Sequence, residues 1–423
     1  MTSLAVLSDA PVSGPDDRLR FDRYVDPLVS LLTNPDSHTP FTVGVLGAWG
    51  SGKSSVLTMV DERLATEAPD AFLRVHFNPW VHRGEPNMLI PLLHAFRDTI
   101  LADRRKRFAE TALRVTSMIG SLTADLLLST VTLGQVSIER FDAAKERYVR
   151  ERGQVASELR TLRDTLRDEL AALKGQGVQA VFFIDDIDRC EPDQIIDLLE
   201  SVKLFLDVPG VFVLMAISKE LVDRGISVKY QGLGFDQDGL VDLGDEYLEK
   251  MIQLPLYLLP LDSRSVRDLL ATCAPAELLD AHGTLLESCL LPNPRKIKRV
   301  LNFLAVTNSI LAGNADLAEL DADLVARLAI LRVQAPRLFL AVVREPRVLV
   351  VLEQLYGDRL AFAEDAMVNR FGPDDGRLLY RAVAPHHQRV PQLRPLFATS
   401  RFEAEAARLG DYLSLFGGPR AEA

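Results

Sequence analysis

Residues 47 to 54 read Gly47-Ala48-Trp49-Gly50-Ser51-Gly52-Lys53-Ser54, a full match to G-x-x-x-x-G-K-[ST]. No other run constrains the fold as much. The apolar, β-rich stretch Phe41 to Leu46 precedes it, and Val56, Met59, Val60 and Leu64 follow at helical spacing. Strand, glycine loop and helix in that order predict an α/β fold, with a parallel sheet and the loop at a strand's C-terminal end. The glycines let successive N–H groups point at phosphate oxygens, and the helix N-terminus adds a favourable dipole. The candidate nucleotide cradle is therefore Gly47, Ala48, Trp49, Gly50, Ser51, Gly52, Lys53, Ser54 and Ser55. Lys53 would reach the β- and γ-phosphates of ATP, and Ser54 would ligate Mg2+.

A second pattern supports the first. Val181-Phe182-Phe183-Ile184-Asp185-Asp186-Ile187-Asp188-Arg189 is a buried-strand run ending in acids, the Walker B form. It places Asp185 at the C-terminal edge of a parallel strand, where α/β sheets bind ligands, and so predicts a metal role for it. A second acid is needed to polarise the attacking water. Asp188 and Asp186 both qualify, and the sequence does not separate them. The long separation of the two motifs leaves room for an intervening strand, which favours ATPases with an extra strand over compact nucleotide kinases.

Further α/β units follow. Glu191-Pro192-Asp193 starts a helix with Pro in its first turn. Val211 to Ile217 is another buried strand, and Ser218 at its end is a candidate γ-phosphate sensor or a cap of the helix from Lys219. Leu254 to Leu259 reads as a last strand. Pro292 to Asn302 begins a helix with a basic first turn, which opposes the helix dipole and calls for a nearby anion. Bound nucleotide would supply one, so Arg295 is a candidate phosphate sensor. Earlier in the chain, Phe21 to Leu32 and Met88 to Leu101 read as helices and Phe72 to Phe77 as a strand.

Between the two motifs lies an insert. Ala112 to Ile138 carries little charge beyond Arg114 and Asp125 and is rich in Ser, Thr and Gly. It reads as a buried helical hairpin or an ordered insert, with a membrane-contacting hairpin as the less favoured alternative. Glu139 to Lys174 is dense in alternating charge, with Leu159, Leu162, Leu166, Leu170 and Leu173 forming one apolar stripe usable in packing or pairing. The resulting partition is 1–111 and 177–260 for the core, 112–176 for the insert, 261–320 for a helical lid and 321–423 for a C-terminal helical region. In the last of these, Val333 to Tyr356 is apolar and helical.

The net charge of −11 over 423 residues does not favour nucleic acid as a partner. The three cysteines show no metal spacing, and residues 1–15 lack a signal-peptide pattern. A cytoplasmic protein is the expectation.

Several segments together resemble the KAP P-loop NTPases: Trp49 within the loop, Phe77-Asn78-Pro79-Trp80, Asp185 to Cys190, Tyr247 to Gln253, Asn293 to Arg299, and the entry segment Asp16 to Tyr24. The resemblance implies an additional-strand ATPase core related to AAA+ and STAND proteins, with a helical lid. It also implies membrane-spanning helices between the two motifs, a pattern from which 112–138 departs. Some bacterial members resemble components of anti-phage and plasmid-linked exclusion systems. Such cores often take an arginine from a neighbouring subunit, and Arg189 and Arg224 are the candidates. A homo-oligomer, or a partner protein bound through the insert and C-terminal helices, is therefore expected. The same residues also suit a nucleotide-gated scaffold with slow or partner-triggered hydrolysis.

Overall fold

The apolar runs fold into β1 (Phe41–Leu46), β2 (Phe72–Phe77), β3 (Gln179–Ile184), β4 (Val211–Ile217) and β5 (Leu254–Tyr257), all parallel. This computed structural model describes residues 6–85, 88–102, 160–161, 163–230, 237–314, 317, 319–387 and 394–417. The hairpin expected at 112–138 lies outside the described residues, as does most of the charged stretch after it. Two compact units divide the chain, Pro11–Leu259 and Met1–Ala10 with Pro260–Ala423.

The first unit holds the sheet, in the order β2-β3-β4-β1-β5. All seven residues of β4 are buried, as expected of a central parallel strand covered on both faces. β5 alternates in burial and contains Pro255, which an edge strand tolerates because one side of its ladder goes unused. An extra strand does separate the two motif strands, but it is β4, which follows the second motif in sequence. The strand between them in sequence, β2, lies at the sheet edge. Helices α1 (Asp22–Thr33), α2 (Lys53–Glu67) and α3 (Leu89–Ala102) precede β3; α4 (Pro192–Phe205), α5 (Lys219–Tyr230) and α6 (Gln237–Met251) follow it. Residues 163–175 are helical, and the apolar stripe here is core. Leu166, Leu170 and Leu173 are each 1% exposed and join Leu92, Phe96, Phe182 and Phe205 in one cluster.

The second unit is helical: α7 (Ser263–Cys273), α8 (Ala276–Cys289), α9 (Pro294–Gly313), α10 (Ala322–Gln334), α11 (Pro336–Arg344), α12 (Val348–Tyr356), α13 (Glu364–Phe371), α14 (Pro373–His387), α15 (Arg394–Ala398) and α16 (Leu409–Ser414). Asp262 caps α7, accepting from Ser265 N–H at 2.7 Å. The run Val333 to Tyr356 is helical, in three pieces: the end of α10, α11 and α12. Pro336 and Pro346 cannot continue a helical hydrogen-bond ladder, and the breaks fall at Ala335 and Glu345. Among the described residues no helix is long and apolar enough to cross a membrane.

Candidate functional site

Register aligns the strand ends. Leu46 stands opposite Ile217, Ile184 opposite Met215, and Phe77 opposite Ile184. Gly47, Ser218, Asp185 and Asn78 therefore leave the sheet along one C-terminal edge, and the polar groups of four strands gather there.

The loop geometry demands its glycines. Gly52 has φ 104°, and a Cβ there would stand 2.1 Å from the Phe21 ring. A Cβ on Gly47 would meet Ser51 Oγ at 2.6 Å. Ser51 Oγ is itself buried without a hydrogen-bond partner, a donor held inside the curl of the loop at a cost that a phosphate oxygen would remove. Lys53, 6% exposed, donates from Nζ to the carbonyls of Gly47 and Ala48 at 3.0 and 3.2 Å. Trp49 is exposed. The Ser55 hydroxyl turns away from the cradle and accepts from Val12 N–H at 3.1 Å.

The two motifs meet across β4. Ser54 Oγ donates to Asp185 Oδ1 at 3.0 Å, and Lys53 Nζ lies 4.0 Å from Asp188 Oδ2. Asp185 Oδ1 also accepts from Asp186 N–H at 2.8 Å, while Asp185 N–H donates to Phe77 O at 3.1 Å. Burial pushes the Asp185 carboxyl above its ordinary range. The Ser54 and Asp186 bonds pull it back, and the charges of Asp186 and Asp188 add to the rise. Burial, with the charges of Asp188 and Asp186, pushes the Cys190 thiol up to about 11.

Asp186 and Asp188 differ in their surroundings. Asp186 has φ 58°, a left-handed conformation, and opens the short 3-10 turn Ile187–Arg189 that carries Asp188. Its Oδ2 accepts from Asn78 Nδ2 at 2.9 Å and its Oδ1 pairs with Arg189 Nε at 2.9 Å. The Arg189 guanidinium also lies over the Trp80 ring, 5.0 Å from its centroid. Arg189 is thus engaged on its own chain. Arg224 is exposed on α5. Ser218 is 8% exposed, and its carbonyl accepts from Leu221 N–H at 3.1 Å in the first turn of α5.

Arg295 belongs to the helical unit, in the first turn of α9. Asp9 supplies an anion there, 3.5 Å from Arg295 and 2.8 Å from Arg299 Nη2. The basic turn therefore has a carboxylate from its own chain, a partner no local reading of 292–302 could find. Asn78 was likewise visible only as part of a motif. Its place beside Asp185 follows from the β2–β3 register.

A parallel sheet with the glycine loop on β1, the acidic motif on β3 and β4 between them defines a P-loop NTPase fold. The comparisons narrow this further: the KAP family P-loop domain matches residues 21–311, and the chain belongs to that family. It is 24% identical over 330 residues to the phage T7 exclusion protein of Escherichia coli (strain K12), covering 69% of this chain and 41% of the relative. The chain thus spans less than half of that relative's length. A solved structure of the Aeropyrum pernix ORC1 protein in complex with DNA aligns over 97% of this chain and 85% of its own, at 12% identity and a TM-score of 0.37.

Proposed function

We propose that this protein hydrolyses ATP with Mg2+ and couples the reaction to a conformational change in an assembly that excludes phage. The observation that carries the reading is the meeting of the two motifs, Ser54 on Asp185 and Lys53 beside Asp188. The metal would supply positive charge to the phosphate oxygens. A hydroxyl and a carboxylate 3.0 Å apart are hard oxygen donors of the kind Mg2+ takes, alongside substrate phosphates. Lys53 would exchange the Gly47 and Ala48 carbonyls for phosphate oxygens. Asp188, without the paired donors that hold Asp186, would orient the water and take its proton. Ser218 is assigned to sensing the γ-phosphate from the edge between the motifs, and Arg295 is assigned a sensing role in the lid, 261–320.

The phage role rests on the exclusion protein's name and on membership of its family. We further propose a cytoplasmic homo-oligomer in which Arg224, rather than Arg189, completes a neighbour's site. Partner protein contacts are assigned to the insert and C-terminal helices, and the acidic net charge of −11 speaks against nucleic acid.

Phosphate release by wild type, Lys53→Ala and Asp188→Asn tests the reading. Lys53→Ala should lose ATP binding. Asp188→Asn should bind ATP and release phosphate at least about 100-fold more slowly, the usual worth of a positioned general base. Wild-type protein that binds ATP and releases no phosphate would instead be a nucleotide-gated scaffold.

A further inference from the structure

Beside the acidic motif, three side-chain contacts and one backbone amide close a ring. Asn78 Nδ2 donates to Asp186 Oδ2 at 2.9 Å, and Asp186 Oδ1 pairs with Arg189 Nε at 2.9 Å. Arg189 stacks over Trp80 at 5.0 Å, and Trp80 N–H donates to Asn78 Oδ1 at 3.1 Å. A second guanidinium, that of Arg83, lies 5.3 Å from the same indole. The ring ties the end of β2 to the turn after β3.

The backbone adds an independent constraint. Asp186 sits at φ 58°, ψ 24°, a region costly for most side chains and best tolerated by Gly, Asn and Asp. This reversal swings the chain out of β3 into the 3-10 turn, closed by Arg189 N–H to Asp186 O at 3.2 Å and Cys190 N–H to Ile187 O at 3.1 Å. Asp188 lies in the middle of that turn, so its position opposite Lys53 depends on Asp186 holding this conformation. A water approaching Asp186 would compete with two fixed donors, whereas Asp188 meets Lys53 at the looser distance of 4.0 Å.

We propose that Asp186 is a positioning residue: with Asn78, Arg189 and Trp80 it forms a ring that sets the turn carrying Asp188 and keeps Arg189 on its own chain. This rests on the ATPase reading above and assigns the two acids different tasks. The site asks of position 186 an acceptor side chain that faces Asn78 and Arg189 from a left-handed backbone.

The conservative variant separates positioning from proton transfer. Asp186→Asn keeps the tolerated backbone and one acceptor oxygen, enough to hold Arg189 Nε, while its amide group would face the Asn78 donor. It should release phosphate within about fivefold of wild type, against the hundredfold loss of Asp188→Asn. Asp186→Ala, Asn78→Ala and Arg189→Ala should each lower kcat about tenfold with KM for ATP nearly unchanged. Pairs of these substitutions should cost little more than one, as members of a single unit do. A second readout needs no turnover. The chain has two tryptophans, so Trp49→Phe leaves Trp80 as the only one, read alone by excitation beyond the tyrosine band. In that background Arg189→Ala and Asp186→Ala should raise acrylamide quenching of Trp80, and Asp186→Asn should not. The proposal is overturned if Asp186→Asn binds ATP yet falls as far as Asp188→Asn, or if quenching is the same in Asp186→Ala as in its parent. Wild-type protein that binds ATP without releasing phosphate removes the ATPase reading, and the quenching series then decides the ring by itself.

Discussion

In the helical unit Arg327 is 5% exposed and each nitrogen of its guanidinium is hydrogen-bonded. It bonds Asp323 at 2.6 Å, the carbonyls of Pro395 and Leu396, and Thr399 Oγ1 at 3.1 Å. In the sheet unit Lys53 is equally buried, but it leans on two loop carbonyls and faces Asp188 at 4.0 Å. The first cation closes a network whose every partner is part of the fold. The second holds contacts that a phosphate can replace. Glu353 repeats the first pattern, 4% exposed and bonded to Arg359, Ser400 Oγ and Glu403 N–H. Burial of charge alone therefore does not mark a site. A buried charge whose contacts a ligand could exchange does.

That contrast can be broken by substitution. Arg327→Ala strands two carbonyls and a hydroxyl, and should cost about 4 kcal/mol of unfolding free energy, read by urea denaturation, with ATP affinity unchanged. Gly52→Ala should act on the ligand as well as on the fold. The added methyl meets the Phe21 ring at a backbone φ of 104°, so ATP affinity should fall about 100-fold, or about 2.7 kcal/mol, by titration calorimetry. The smallest effect lies on the rim of the sheet unit, at Asp61 on α2. Burial pushes its carboxyl up, but the hydrogen bond and charge of His76, with those of Arg74, outweigh this and leave it below the ordinary 3.8. An acid held low stabilises the fold above its ordinary value and loses that contribution as pH falls through the lowered one. Asp61→Asn should therefore cost about 1 kcal/mol at neutral pH. The gap to wild type should close on acidification below pH 3.8, followed by denaturation curves across pH.

The strands were legible because a parallel strand buried on both faces is an unbroken apolar run with sharp ends. β1, β2 and β4 begin and end where their runs do. Their spatial order was less legible. That an extra strand separates the motifs follows from their class, but that β4 fills the place depends on pairing between residues far apart in sequence. The P-loop could be read because its glycines answer a local backbone need. The division between Asp186 and Asp188 could not, because it rests on one φ angle and on Asn78, 108 positions away. The counter-ion of Arg295 escaped for the same reason. Asp9 is distant in sequence, and the basic turn stated only that some anion was needed. Val333 to Tyr356 was legible as helical, and Pro336 and Pro346 set where its pieces part.

The sheet order also bears on how such a chain can diversify. α3 and the helical residues 163–175 pack in one cluster with β2 and β3, while the glycine loop follows β1 on the far side of β4. Lengthening a loop costs only a logarithmic entropy increment, and here the added chain need not disturb the pairing of β1 with β4. Chain length between α3 and residues 163–175 is thus a quantity that the pairing of β1 with β4, and with it the strand carrying the phosphate cradle, does not constrain.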